Sequence, residues 1–125
     1  MALQKEASPS TTSKDSDTFT LVGAGDIADC NSIAGAETTA KLIDKIPGIV
    51  FAAGDLAYDH GAYEEFQKCY QPTWGRFKKR TLPAAGNHEY NGSAAAGYFR
   101  YWGKQAGEPK KGYYSYDLGS GTSWF

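Results

Sequence analysis

Short apolar runs alternate along the chain with segments of helical periodicity. Three runs have the length and β-prone composition of strands, and each is followed by a glycine; they span residues 19–24, 49–53 and 81–85. The segment from Ser32 to Ile46 predicts a helix, because apolar residues recur in it near every third or fourth position. Ser32 is a candidate N-cap for this helix, and Pro47 and Gly48 would end it.

The rest of the pattern predicts shorter elements. We expect helices over residues 62–70, 73–79 and 96–105, and a hairpin made of a strand over 112–118 and a second strand that begins at 122. Residues 1–18 are polar and rich in Ser, Thr, Lys and Asp, which predicts a disordered tail. Strands that alternate with helices are typical of an α/β domain with parallel strands, here over residues 19–125.

Length and charge narrow the class of protein. The chain has 125 residues, the size of one domain. Lys plus Arg is 13 and Asp plus Glu is 14, so no overall positive charge would attract a nucleic acid, and we predict none as a partner. No apolar run approaches the ~20 residues of a membrane helix, and the N-terminus lacks the apolar segment of a signal peptide. Cys30 and Cys69 could form a disulfide or remain two thiols.

An oxygen-bearing side chain follows a glycine just after each of the three predicted strands. These residues are Asp26, Asp55 and Asn87. In open α/β sheets ligands bind outside the carboxyl ends of the strands, so we expect the three side chains to converge. Two carboxylates and an amide oxygen suit a hard or borderline cation. The alternative is that Asp and Asn are ordinary turn formers, but their recurrence at three strand ends, with His88 beside Asn87, favours a metal site.

The same three segments carry a resemblance to a known family. Gly-Asp at 25–26, Gly-Asp-Leu-Ala-Tyr at 54–58 and Gly-Asn-His-Glu at 86–89 resemble, in order and spacing, the first three motifs of the calcineurin-like metallophosphoesterases. Most members carry a histidine two residues after the first aspartate, where this chain has Ala28. The tyrosine at position 58 makes the second motif similar to that of the purple acid phosphatases, in which it binds ferric iron. The resemblance implies the first half only of a four-layer αββα sandwich.

The resemblance also implies a role for each matching residue. Asp26 would bind the first metal together with Tyr58, Asp55 would bridge both metals, and Asn87 would bind the second. The metals implied are ferric iron with zinc, manganese or ferrous iron. His88 would contact the phosphate and could protonate the leaving oxygen. The alternatives are a packed core aromatic for Tyr58 and a surface loop histidine for His88.

The implied function is hydrolysis of phosphoric monoesters by a metal-activated water, in an extracellular or periplasmic protein with a phosphate ester as substrate and with no membrane partner. Two alternatives stay open: a phosphodiesterase or nucleotide hydrolase on the same site, and a non-catalytic metal-binding fragment. A complete site of this family also needs three metal-binding histidines, which we expect beyond Phe125. The chain alone is therefore expected to be inactive.

Four further residues have smaller expected roles. Glu89 is expected to orient its loop rather than take part in chemistry, and His60 is expected to be a solvated loop residue. A disulfide between the cysteines, if formed, would pin the loop that carries Asp26.

Overall fold

The computed structural model describes residues 18–119 and 121–125, and in this part the chain has an α/β fold. The strands are β1 (Leu21–Ala24), β2 (Ala28–Asp29), β3 (Ile49–Ala53), β4 (Ala57–Tyr58), β5 (Thr81–Ala84), β6 (Ser115–Leu118) and β7 (Gly121–Trp124). The α-helices are α1 (Ala34–Ile43), α2 (Tyr63–Glu65) and α3 (Ala96–Trp102). The predicted tail over residues 1–18 lies outside the described residues except for Thr18.

The main sheet has three parallel strands in the order β1-β3-β5. The central strand β3 pairs Ala52 with Ala24 on one side and Ala53 with Ala84 on the other. All three strands therefore end at the same edge of the sheet. Val50 and Ala52 are buried, whereas Phe51 between them is half-buried, so one face of the central strand lies deeper in the core than the other.

A second, very small sheet follows the first. Strands β2 and β4 pair in parallel, with Ala28 opposite Ala57 and Asp29 opposite Tyr58. Two-residue strands are too short to give a periodic signal, so the sequence pattern does not predict them. They place the segment after Asp26 against the segment after Asp55, directly beyond the edge where the main strands end.

Helix α1 begins two residues later than predicted. The prediction of Ser32 as the N-cap is wrong, because the N-cap is Ile33 and no side chain caps this end. Ser32 instead forms a bridge with Asp29, to whose carbonyl its N–H donates at 3.0 Å. The buried positions of α1 are Ala36, Ala40 and Ile43. They recur every three or four residues, as the helical periodicity of the sequence predicts.

The other predicted helices are partly α-helical and partly of other helical types. Helix α2 continues as a π-helical turn over Phe66–Tyr70, and 3₁₀ turns cover Trp74–Arg80, His88–Tyr90 and Gly103–Ala106. An aromatic cluster joins the π-helical turn to α3, with Phe66 stacked on Tyr101 at 4.8 Å between ring centroids. No helix among residues 18–119 and 121–125 is long and apolar enough to cross a membrane.

Two links fix the periphery of the fold. Cys30 and Cys69 form a disulfide with a Cα–Cα distance of 5.3 Å, which ties the segment after β2 to the π-helical turn. The antiparallel β6–β7 hairpin is preceded by Tyr114, whose hydroxyl donates to the carbonyl of Pro83 at 2.8 Å. The hairpin segment is thereby held against β5 of the main sheet.

Candidate metal centre

Asp26 and Asp55 lie next to each other beyond the carboxyl ends of β1 and β3. The Asp26 N–H donates to the carbonyl of Gly54 at 3.1 Å, and the N–H of Ile27 donates to the carbonyl of Asp55 at 2.9 Å. Both aspartates have left-handed backbones, with φ of 52° at Asp26 and 54° at Asp55. Few residues other than glycine adopt this conformation, and Asp is among those that tolerate it best. Such conformations occur often at functional sites.

The hydroxyl of Tyr58 joins the two carboxylates. It donates to Oδ1 of Asp26 and lies 3.5 Å from Oδ2 of Asp55. The hydrogen bond to Asp26 is the main cause that raises the pKa of Tyr58 well above its ordinary value, with burial and the charge of Asp55 adding to it. In the metal-free protein Tyr58 is therefore a neutral phenol between two acidic side chains. Three of the four predicted metal ligands thus meet at one point.

Asn87 lies between two residues whose backbones contact Asp55. It is exposed and directly precedes the 3₁₀ turn over His88–Tyr90. The backbone N–H of His88 donates to Oδ1 of Asp55 at 2.9 Å, which holds this segment beside the second aspartate. A Cβ atom on Gly86 would collide with the backbone nitrogen and Oδ1 of Asp55, so a glycine is needed for the loop to approach this closely.

The imidazole of His88 is oriented by two contacts. Its Nδ1 lies 2.7 Å from the carbonyl oxygen of Asp59, and its ring meets the Tyr58 ring in an edge-to-face arrangement at 4.5 Å. A carbonyl can only accept, so Nδ1 carries a proton and Nε2 is the nitrogen that gains or loses one. The hydrogen bond to Asp59 is the main cause that raises the pKa of His88 above its ordinary value.

Glu89 holds the loops that carry the site. Its side chain is 1% exposed, and its Oε1 accepts the N–H of Leu56 at 2.8 Å and of Ala57 at 3.2 Å. Its Oε2 accepts the N–H of Asp55 at 2.9 Å and of Gly86 at 2.8 Å. Burial raises the pKa of Glu89, and the N–H donors oppose that shift. The expectation that Glu89 orients its loop is confirmed.

Sequence reasoning missed Glu65, which organises the loop between β4 and α2. Its Oε2 accepts the N–H of Asp59 at 2.5 Å, and its Oε1 accepts the N–H groups of His60 at 3.0 Å and Ala62 at 2.9 Å. His60 is exposed in this loop, as expected. Little in the sequence indicates this role, because the N-cap is Ala62, which has no side-chain acceptor, and only the acidic half of a capping box is present.

The donor set fits part of a metal site. The side-chain oxygens of Asp26, Asp55 and Tyr58 lie close together. Oxygen donors of this kind suit a hard cation such as ferric iron. Within residues 18–119 and 121–125, however, no group of three or more His, Cys, Asp and Glu side chains is arranged to hold a metal ion. The described residues by themselves therefore do not make up a complete coordination shell.

Neither a protein-family model, nor a curated protein, nor a solved structure matches this chain.

Proposed function

We propose that this chain is the N-terminal part of the catalytic domain of a metal-dependent phosphoester hydrolase of the purple acid phosphatase type, acting on phosphoric monoesters. The observation that carries the proposal is the position of the Tyr58 hydroxyl between the carboxylates of Asp26 and Asp55. These oxygens lie beyond the carboxyl ends of parallel strands, where α/β proteins bind their ligands. The four-layer αββα sandwich, of which these residues would form the first half, is part of the same proposal.

The metal ligands in this chain would be Asp26, Asp55, Tyr58 and Asn87. Two metal ions, ferric iron with zinc, manganese or ferrous iron, would supply an activated water and offset charge on the phosphoryl oxygens. Because the phenol of Tyr58 is protonated and hydrogen-bonded to Asp26, its use as a ligand requires that it lose this proton.

The geometry of His88 favours a hydrolase over a site that only binds metal. Its Nδ1 is engaged by the carbonyl of Asp59, so its Nε2 is available to a substrate. A protonated ring can give a proton to the leaving oxygen of an ester, and the hydrogen bond to Asp59 favours that protonated form. The backbone N–H of His88 also donates to Asp55, which links the proton donor to the metal ligands.

Replacement of Asp55 tests this proposal. In the full natural protein that contains this chain, we expect Asp55→Asn to lose at least one metal and nearly all hydrolysis of an aryl phosphate. The matched control is Asp44→Asn, since Asp44 is an exposed residue paired with Arg76 at 2.8 Å. Elemental analysis measures the metal content, and an ester assay measures the turnover. Two retained metals with near-normal turnover in Asp55→Asn would contradict the proposal. Monoester and diester substrates compared side by side decide between phosphatase and phosphodiesterase.

A further inference from the structure

One peptide group lies between a carboxylate and the imidazole of His88. The carbonyl of the Asp59–His60 peptide is 2.7 Å from Nδ1 of His88, and the N–H of the same peptide donates to Oε1 of Glu65 at 3.0 Å. The order of groups is therefore carboxylate, peptide, imidazole. The proton on Nδ1 faces an acceptor that is itself hydrogen-bonded to a negative charge.

Glu65 fixes the whole loop around this peptide. Its carboxylate also accepts the N–H groups of Asp59 at 2.5 Å and of Ala62 at 2.9 Å. Gly61 in the same loop has a φ of 60°, and a Cβ there would lie 2.7 Å from Cα of Glu89. The loop therefore lies close against Glu89, and the three N–H donors to Glu65 fix its path.

The chemistry of the amide turns this placement into an effect on histidine. When an amide N–H donates to a carboxylate, the amide is polarised and its carbonyl oxygen becomes a stronger acceptor. A stronger acceptor at Nδ1 keeps the proton on that nitrogen, so that in the neutral ring Nε2 is the unprotonated nitrogen. The hydrogen bond also fixes the plane of the ring, which packs edge-to-face on Tyr58.

We propose that Glu65 is a positioning residue that sets the tautomer and orientation of the His88 ring through the Asp59–His60 peptide. The consequence for catalysis rests on the proposed function, whereas the link between Glu65 and His88 does not. A role limited to capping α2 would change the stability of the fold but would leave the His88 tautomer as it is.

The first experiment needs neither metal nor substrate. The natural protein in metal-free form, labelled with ¹⁵N, is studied by NMR at a pH at which the imidazoles of His60 and His88 are neutral. We expect the proton of His88 to reside on Nδ1 in the wild type, and to shift measurably toward Nε2 in Glu65→Gln and Glu65→Ala. His60 is exposed in the same loop and serves as an internal reference. Glu64→Gln is the matched control, because Glu64 is the exposed neighbour of Glu65.

Unchanged tautomer populations of His88 in a folded Glu65→Gln protein would overturn the inference. So would an equal change in Glu64→Gln. Glu65→Gln keeps one oxygen acceptor and the size of the side chain, so it remains a test if Glu65→Ala does not fold.

The second experiment addresses the consequence for the reaction. In the metal-loaded natural protein we expect Glu65→Gln to keep its metals and its KM, and to lower kcat by about 10–100-fold for esters with poor leaving groups. The loss should be smaller for good leaving groups, which need less protonation. An equal loss for both would overturn the effect on His88 as an acid. If the wild type itself lacks metal-dependent hydrolysis, the proposed function fails, and the tautomer measurement still decides whether Glu65 acts on His88.

Discussion

The buried carboxylate of Glu89 accepts the backbone N–H of Asp55 at 2.9 Å, and the same oxygen accepts the N–H of Gly86 at 2.8 Å. One side chain therefore joins the loop after β3 to the loop after β5. Hydrogen bonds to an ionised acceptor are the strong ones, and here four of them converge on one carboxylate. The relative position of Asp55 and Asn87 depends on this junction.

We expect Glu89→Gln to destabilise the protein by about 2–4 kcal/mol. The amide nitrogen of glutamine would face N–H donors, so at least one buried donor would lose its partner, and each loss costs about 1–3 kcal/mol. Chemical denaturation of the natural protein measures the change. Glu64→Gln, at an exposed site, should stay within about 0.5 kcal/mol of the wild type.

Amide hydrogen exchange gives a local check on the same prediction. The N–H groups of Asp55, Leu56 and Gly86 should exchange faster in Glu89→Gln than in the wild type, because they donate to Glu89. Unchanged exchange at these three amides would contradict the role of Glu89 as the junction.

The main elements could be predicted from the sequence because their signals are local. The strand over 49–53 has the same bounds in the structure, since it is a continuous apolar run closed by glycine. The start of α1 could not be predicted, because Ser32 forms a bridge with Asp29 instead of capping the helix. Strands β2 and β4 are defined only by their pairing with each other, and two-residue strands are too short to show a hydrophobic periodicity in the sequence.

In the candidate site, too, some contacts could be predicted from the sequence and others could not. Asp26 and Asp55 lie side by side because parallel strands end at one edge, so spacing and residue type were sufficient to predict this. The place of Tyr58 between them was expected only from the resemblance of its motif. The contribution of Glu65 depends on how the loop after β4 folds back onto its side chain. That path is set by tertiary contacts, and a capping-box acid beside a metal motif gives no direct sign of it.

Tyr58→Phe tests the assignment to the purple acid phosphatase type. A ferric ion bound by a phenolate absorbs visible light, so the iron-loaded natural protein should be coloured, and Tyr58→Phe should lose the colour. The visible spectrum and the iron content are measured together. A colourless wild type that holds ferric iron at this site would contradict the assignment, whereas the neighbouring exposed tyrosine in Tyr90→Phe should have no effect on the spectrum.

Removal of the disulfide should loosen the loop that carries Asp26. Cys30 and Cys69 are 39 residues apart, and a loop of this length predicts a stabilisation of about 4 kcal/mol in the chain-entropy model. We expect the double variant Cys30→Ser, Cys69→Ser to unfold at lower denaturant concentration and to exchange the Ile27 and Ala28 amides faster, since these amides pair with the segment after β3. A reductant should lower the stability of the wild type but not that of the double variant. Equal sensitivity of both to the reductant would show that this disulfide is not the cause.

His88→Ala should affect chemistry more than metal content. The ring of His88 contacts Tyr58 and the carbonyl of Asp59, and its backbone N–H, which the substitution retains, supports Asp55. In the metal-loaded natural protein we therefore expect both metals to remain and turnover to fall by about 10²–10⁴-fold, the usual range for loss of a general acid or base. The loss should be largest for esters with poor leaving groups, because their departure depends most on a proton from the enzyme. His60→Ala is the matched control, since His60 is exposed in the adjoining loop and should leave turnover near that of the wild type. Loss of metal in His88→Ala would show that the imidazole holds the site together, and an equal loss for all leaving groups would show that His88 only positions the phosphate.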